Sequence, residues 1–206
     1  MGAAGNWVGA VSVVRTGALV VGVAIAAVSS PRPVFACAYE DPSAADFQQG
    51  VISAFYPKSL YVLGALTQAQ LNGIIPAEPA PRANYLAGYL KTDHSLHLFG
   101  DALRDQRSED GALAFTLVLI EPMLWTRFVF DSGRATTSVH VDGPQPGDVV
   151  VWTAEAALRQ IADHRLTFAR AEELGLVRFY GDDGEIARVR KAIEFRWNDL
   201  KPESSL

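Results

Sequence analysis

The chain has 206 residues, of which 49% are hydrophobic and 20% are charged. That balance excludes a disordered chain and allows one ordinary core, alone or with a small helical part. The formal net charge is −5 at pH 7, so a nucleic-acid partner is not expected. Loss of residues 1–36 would remove Arg15 and Arg32 and no acid, leaving 16 basic against 23 acidic residues and a net charge of −7.

The N-terminal segment, residues 1–38, has the layout of a secretory signal peptide. Arg15 precedes the apolar run Gly17–Val28, and "PRPVFACA" then supplies helix breakers and small residues. Cleavage is expected after Ala36 or after Ala38. Because the run is shorter than the roughly 20 residues that span a bilayer, we expect an exported, periplasmic protein whose membrane contact is confined to this segment. A chain that stays anchored at its N-terminus is the alternative.

Cys37 lies at this junction and is the single cysteine. "VFAC" loosely resembles the lipobox of bacterial lipoproteins, so lipidation of Cys37 is one expectation, although Phe35 matches that motif poorly. Cleavage after Ala38 would remove the residue instead. A lone cysteine excludes an intramolecular disulfide and a cysteine-rich zinc site.

The next part of the chain is predicted to be helical. A polar link, "YEDPSAADFQQG", precedes a helix from Pro57 to Asn72, with Gly73 as its left-handed end and Gly64 as a weak or close-packing point. The proline-rich "GIIPAEPAPR" predicts a loop. Apolar residues at helical spacing then predict a longer helix from Arg82 to about Arg107.

Strands are predicted to follow. The continuous apolar run Leu113–Ile120 is typical of a strand covered on both faces. "MLWTRFVF" and "RATTSVHV" flank "DSG" and predict a β-hairpin. "DVVVW", Asp148 to Trp152, predicts another strand.

Helices and a last strand complete the chain. Thr153 is expected to cap a helix over 154–164, and Thr167 a short helix that ends at Gly175. Residues 176–180 predict a final strand. A closing helix is indicated by apolar residues at helical spacing, namely Ile186, Val189, Ile193 and Trp197.

This order predicts an α+β fold, with an N-terminal helical part followed by a mostly antiparallel sheet of about five strands covered by helices. The expected organisation is a signal peptide over 1–38, a linker and helical part over 39–112, the α+β domain over 113–200, and a disordered tail over 201–206.

Three C-terminal stretches carry a resemblance to a known family. They are "GDVVVWTAEAALRQI", a strand running into a helix; "LTFARAEELG", a short helix; and "GLVRFYG", a strand between glycines. In residue class and spacing, the segment from about Leu113 to Trp197 resembles the sterol carrier protein 2 type lipid-binding domain. The arginine-rich "DDGEIARVRKAI" departs from that family, which tends to be apolar there.

The resemblance implies an apolar cavity between the sheet and its helices, holding a lipid or another apolar molecule. No cofactor is implied. The residues expected to line the cavity are aromatic or sulphur-containing and lie on predicted strands or next to one: Met123, Trp125, Phe128, Trp152 and Phe179. Each of them is also explained as an ordinary core residue.

Two groups of side chains have the chemistry of metal ligands or catalytic residues, and each also has a structural explanation. His94, His97 and Asp101 lie at helical spacing and offer up to three ligands to zinc or copper, although that side of the helix is also explained as a solvated face. Ser138 and His140 share one face of a predicted strand with no positioned acid, which disfavours hydrolysis.

Glu121 follows the buried strand, and Arg127 is its expected ion-pair partner.

The sequence therefore favours an exported, non-catalytic protein that binds an apolar or amphipathic small molecule. The principal alternative is an accessory protein with a solid core that recognises an envelope protein through its helical part. A metal-binding protein is the third hypothesis.

Overall fold

The computed structural model describes residues 37–77, 85–103, 111–131 and 134–199, which hold six helices and five strands. In chain order they are α1 (Pro42–Ile52), α2 (Tyr61–Leu71), α3 (Tyr85–Leu103), β1 (Leu113–Leu119), β2 (Leu124–Asp131), β3 (Arg134–Val139), β4 (Val149–Thr153), α4 (Glu155–Ala162), α5 (Phe168–Glu173), β5 (Val177–Tyr180) and α6 (Asp183–Asp199). The predicted signal peptide up to residue 36 and the tail over 201–206 lie outside the described residues.

The five strands form one sheet in the order β3-β2-β1-β4-β5. Only β1 and β4 run parallel to each other, with Val118 opposite Trp152; the other neighbouring pairs are antiparallel. Phe115 of β1 lies opposite Phe128 of β2. The predicted α+β class with a mostly antiparallel sheet is confirmed.

Residue composition explains where each strand lies. All residues of β1 except Ala114 are buried, as the continuous apolar run Leu113–Ile120 predicts for a central strand. The residues of β3 alternate between exposed and half-buried, as expected of a strand at the edge of a sheet. The hairpin is therefore open to solvent at β3, and the core lies around β1 and β4.

The predicted polar link is wrong, because part of it forms α1. Pro42 occupies the first turn of the helix, where a missing N–H costs nothing. The side chain of Asp41 accepts a hydrogen bond from the backbone N–H of Ser43, 3.0 Å away. This Asp-Pro pair is a helix start signal, which the polar character of the segment obscured.

Helix α2 begins at Tyr61 and not at Pro57 as predicted. Lys58 has a left-handed backbone, with φ of 70°, so residues 57–60 cannot continue a helix upstream. At the other end, Gly73 has φ of 69°, and the N–H of Ile74 donates to the carbonyl of Ala69. The predicted glycine termination is confirmed.

The helical part and the sheet share one core. Leu96, Phe99 and Leu103 of α3 are each no more than 1% exposed and belong to the same buried cluster as the sheet residues. Gly100 brings α3 close to the hairpin, since a Cβ there would lie 2.1 Å from Thr137 Oγ1. No helix among the described residues is both long enough and apolar enough to cross a membrane.

Most of the helix caps and glycine turns predicted in the last third of the chain are confirmed. Thr167 Oγ1 accepts a hydrogen bond from the N–H of Arg170, and Gly175 ends the turn with φ of 76°. Thr153, however, does not cap α4: it is the last residue of β4, and Ala154 occupies the cap position with no side-chain hydrogen bond. The cap is instead the carboxylate of Glu121, which accepts a hydrogen bond from the N–H of Glu155, 34 residues later in the chain.

Candidate functional site

A surface pocket of about 660 Å³ lies beside β5, the edge strand of the sheet. Its volume is within the range of small-molecule sites. Three groups of residues line it: the turn before α2, the end of α5 with β5, and the first turns of α6. They are Pro57, Lys58, Glu172, Glu173, Gly175, Val177, Arg178, Phe179, Tyr180, Asp183, Ile186 and Arg190.

Two glycines position the walls of this pocket. Gly175 has φ of 76° and turns the chain from α5 into β5. Gly181 has φ of 149° and packs on β4, where a Cβ would lie 3.3 Å from Val149 Cα. Both conformations favour glycine, so the sequence fixes α5, β5 and α6 around one concave surface.

Arg190 forms a rigid part of the wall. Its Nη2 and Nε atoms donate to the Glu172 carboxylate at 2.7 and 3.0 Å, and its guanidinium lies 4.9 Å from the ring centroid of Phe179. The hydrogen bonds to Glu172 raise the pKa of Arg190 further above its ordinary value. A paired and stacked arginine holds Phe179 in place.

Two other cations line the pocket without a carboxylate partner among the described residues. Lys58 is exposed, and Arg178 lies 5.7 Å from the ring centroid of Tyr61. The Nε atom of Arg178 is buried and has no hydrogen-bond partner in the described part of the chain. Lys58 and Arg178 therefore bring positive charge to this wall of the pocket.

Four of the five residues expected to line an apolar cavity lie in the core. Met123, Trp125, Phe128 and Trp152 are each no more than 6% exposed. Only the fifth, Phe179, lines the pocket beside β5. Ligand contact by the other four stays a prediction.

Aromatic rings connect this core to the pocket. The rings of Trp125 and Trp152 meet edge to face at 5.6 Å, and Tyr56 contacts both of them. Tyr56 also contacts Tyr180, a pocket residue whose hydroxyl donates to the carbonyl of Pro57 at 2.6 Å. Trp152 Nε1 is buried with no hydrogen-bond partner among the described residues. The aromatic cluster thus extends from the sheet interior to the wall of the pocket.

The histidines predicted as metal ligands are on the surface of α3. His94 and Asp101 are exposed, and His97 Nε2 lies 3.8 Å from Asp93, one turn earlier. In the described ranges, the trio whose ligand atoms converge is a different one: Cys37, Glu40 and His140. Sequence spacing could not show this trio, since His140 is about a hundred residues from the other two.

Glu121 belongs to a polar network and does not pair with Arg127, which corrects the sequence expectation. Its two carboxylate oxygens lie 3.1 and 2.8 Å from the N–H of Glu155. Burial raises the pKa of Glu121 to about 7, although the hydrogen bond from Glu155 opposes that rise.

The Glu155 carboxylate in turn joins three elements. It accepts hydrogen bonds from Tyr39 and Thr92 at 2.8 and 2.6 Å, and it pairs with Arg159. The network ties Tyr39 and α3 to α4, so these hydrogen bonds explain Glu155 as a structural residue.

Arg127 pairs with Asp148 instead. Its Nε and Nη2 atoms donate to the carboxylate at 2.8 and 3.0 Å, and Thr116 Oγ1 donates at 2.8 Å. Burial of Asp148 opposes ionisation, but these hydrogen bonds outweigh it and lower the pKa of the carboxyl group. The pair braces β1, β2 and the turn before β4.

Comparisons with known proteins yield structural matches alone. No protein-family model and no curated protein match the chain. Sterol carrier protein 2 like 2 from Aedes aegypti is 13% identical, with a TM-score of 0.36, over 50% of this chain and 96% of that one. Sterol carrier protein 2 like 3 from the same organism is 19% identical, with a TM-score of 0.34, over 52% and 97%.

The sec-alkylsulfatase Pisa1 from Pseudomonas sp. also matches, at 18% identity and a TM-score of 0.34, over 50% of this chain and 14% of that one. Structures of the family whose resemblance the sequence predicted therefore match about half of the chain.

Proposed function

We propose that this chain is an exported, non-catalytic protein that binds an amphipathic small molecule in the pocket beside β5. The observation that carries the proposal is a pocket wall in which aromatic side chains lie next to cations that have no carboxylate partner among the described residues. Phe179 and Tyr180 offer apolar surface, and Lys58 and Arg178 are those cations. A molecule with an apolar chain and a carboxylate satisfies both.

The binding energy divides between these two parts. Apolar contact contributes about 25 cal/mol for each Å² that is removed from water, so the apolar chain of the ligand contributes in proportion to the area that it covers on Phe179 and Tyr180. A charge-assisted hydrogen bond to Arg178 contributes about 1.5–3 kcal/mol and orients the head group. Lys58 adds a second positive charge at the rim of the pocket.

Export is supported by the layout of the N-terminus. The apolar run Gly17–Val28 after Arg15, followed by helix breakers and small residues up to Ala38, is typical of a signal peptide. An exported carrier would meet membrane-derived amphiphiles directly.

Organic extraction of natively purified protein, followed by mass spectrometry, tests this proposal. The expected result is an amphipathic carboxylate in the extract at a near-stoichiometric amount, and its loss when Phe179→Asp is purified in parallel. Extracts without any amphiphile, from protein that also fails to bind added fatty acid, would contradict it.

A second function is favoured by apolar side chains exposed on the helical part. Phe47, Phe55, Leu71 and Leu86 are each 68–77% exposed, and apolar side chains of this kind mark an interaction site where they form one contiguous patch. They support the alternative in which an envelope protein binds the helices. Co-purification of one defined protein with the tagged full chain, lost in Phe47→Ser and Leu86→Ser, is its expected result; identical co-purification by these variants would contradict it.

A further inference from the structure

Cys37, Glu40 and His140 converge at the start of the described chain. One ligand atom from each residue lies within 4.8 Å of the other two. His140 Nε2 is 3.6 Å from Glu40 Oε2, and Cys37 is 1% exposed. The three donors are a thiol, an imidazole and a carboxylate.

Backbone hydrogen bonds hold the segment that carries Cys37 and Glu40. The carbonyl of Cys37 accepts from the N–H groups of Glu40 and Asp41, both at 2.9 Å, which folds the segment into a turn. The N–H of Ala38 donates to the carbonyl of Pro122 at 2.8 Å and fixes that turn beside the β1–β2 connection. The site is thus built on ordered backbone rather than on long side chains alone.

His140 reaches the trio through an unusual backbone conformation. It follows β3 with φ of 61°, a left-handed value that is uncommon for a residue other than glycine. The next N–H, that of Val141, donates to the carbonyl of Trp125 at 3.0 Å. His140 therefore leaves the strand alternation, which corrects the expectation that it shares a strand face with Ser138.

The imidazole nitrogen lacks a hydrogen bond. His140 Nε2 is buried and has no hydrogen-bond partner among the described residues, because Glu40 Oε2 at 3.6 Å is too distant for one. Two ligands of one tetrahedral zinc ion, with bonds of about 2.0–2.3 Å, lie about 3.3–3.7 Å apart. The 3.6 Å between His140 Nε2 and Glu40 Oε2 therefore suits two ligands of one metal ion better than a direct hydrogen bond.

We propose that Cys37, Glu40 and His140 form a site for a divalent zinc-like cation, with a fourth position open to water or another ligand. Thiolate, imidazole and carboxylate are all established zinc donors, and three protein ligands leave one position free. The site is separate from the pocket beside β5, since none of the three residues lines that pocket. A bound cation would fasten the turn over residues 37–41 to the end of the hairpin.

A nucleophilic thiol is the competing explanation of the same three residues. Cys37 is 1% exposed and has a carboxylate beside it, whereas reactive cysteines are partly exposed and lie near positive charges. The same arrangement suits a cation, because thiolate, imidazole and carboxylate are all zinc donors.

The first test is the intact mass of the full chain after expression and processing. The proposal requires that Cys37 is retained with a free thiol. A mature chain that begins at Tyr39, or one that carries acyl groups on Cys37, would overturn it.

The second test is metal binding by that purified protein. Co²⁺ is expected to give a thiolate-to-metal charge-transfer band, and Zn²⁺ is expected to bind one per chain and to displace it. Glu40→Gln, at a side chain that is 53% exposed, and His140→Gln should each weaken Zn²⁺ binding at least about tenfold. Cys37→Ser should abolish the charge-transfer band.

His164→Gln is the matched control, because His164 is exposed and also has a left-handed backbone, with φ of 56°. It should bind Zn²⁺ like the wild type. If His140→Gln fails to fold, Glu40→Gln and the rise in melting temperature of the wild type on adding Zn²⁺ decide the question. Absence of stoichiometric binding, or equal binding by Glu40→Gln, His164→Gln and the wild type, would overturn the proposal.

Discussion

Glu121 caps a helix that begins 34 residues later: its carboxylate oxygens lie 2.8 and 3.1 Å from the backbone N–H of Glu155. A side chain from the β1–β2 connection thus supplies the cap that Ala154, at the start of α4, cannot provide. The positive end of the helix dipole favours a carboxylate there. Burial nevertheless dominates, and it raises the pKa of Glu121 to about 7 from an ordinary value of 4.5.

That raised pKa predicts a specific dependence of stability on pH. The folded chain binds more protons at Glu121 than the unfolded chain between pH 4.5 and about 7, so its contribution falls as pH rises through that window. Glu121→Gln removes this titration. Relative to the variant, the wild type should therefore lose up to about 3 kcal/mol across the window, as measured by urea unfolding.

Glu173→Gln is the control, because its side chain is 65% exposed. Its free energy of unfolding should parallel that of the wild type at each pH. A constant difference between the wild type and Glu121→Gln across the window would contradict the assigned pKa.

Asp148 gives a pH dependence of opposite sign. Hydrogen bonds from Arg127 and Thr116 lower its pKa below the ordinary 3.8 despite burial, so its contribution is present above that value and is lost as pH falls through the lower folded value. Asp148→Asn should cost about 2 kcal/mol at neutral pH, and the cost should shrink in acid.

The exposed Asp142 provides the comparison for this prediction. Urea unfolding of Asp142→Asn should match the wild type at neutral pH. If Asp148→Asn were as stable as Asp142→Asn there, the bracing role of the Arg127–Asp148 pair would be wrong.

Gly100 and Gly64 make a matched pair of helix glycines. A Cβ at Gly100 would lie 2.1 Å from Thr137 Oγ1 and 3.2 Å from the Phe128 ring, whereas nothing lies within 4 Å of a Cβ at Gly64. Gly100→Ala should cost about 1–3 kcal/mol through overpacking. Gly64→Ala should add about 0.5–1 kcal/mol through helix propensity. Thermal unfolding measures both, and stabilisation by Gly100→Ala would contradict the close approach of α3 to the hairpin.

Structural features that depend on residues close together in sequence could be predicted. The Thr167 cap and the Gly175 turn depend on local backbone chemistry, and β1 depends on a run of apolar residues. The α1 start at Asp41 and Pro42 carried an equally local signal, which the polar composition of the segment concealed.

Contacts between distant segments were not predictable in the same way. The Arg127–Asp148 pair depends on how β2 meets the turn before β4, and nothing in the spacing distinguishes Asp148 from Glu121 as the partner. The meeting of Cys37 with His140 depends on how the turn over residues 37–41 packs against the end of β3. The pocket likewise needs the turn before α2, the end of α5, β5 and α6 in place, so its charged lining could not be predicted.

Equilibrium titration of the purified protein with a fluorescent fatty acid that bears a free carboxylate tests the central claim most directly. We predict saturable binding at one site per chain, weakened about tenfold or more in Lys58→Glu, since one charge-assisted contact is replaced by repulsion. Lys91→Glu, a change at an exposed lysine that does not line the pocket, should bind like the wild type. No saturable binding, or equal affinity in both variants, would contradict a binding site beside β5.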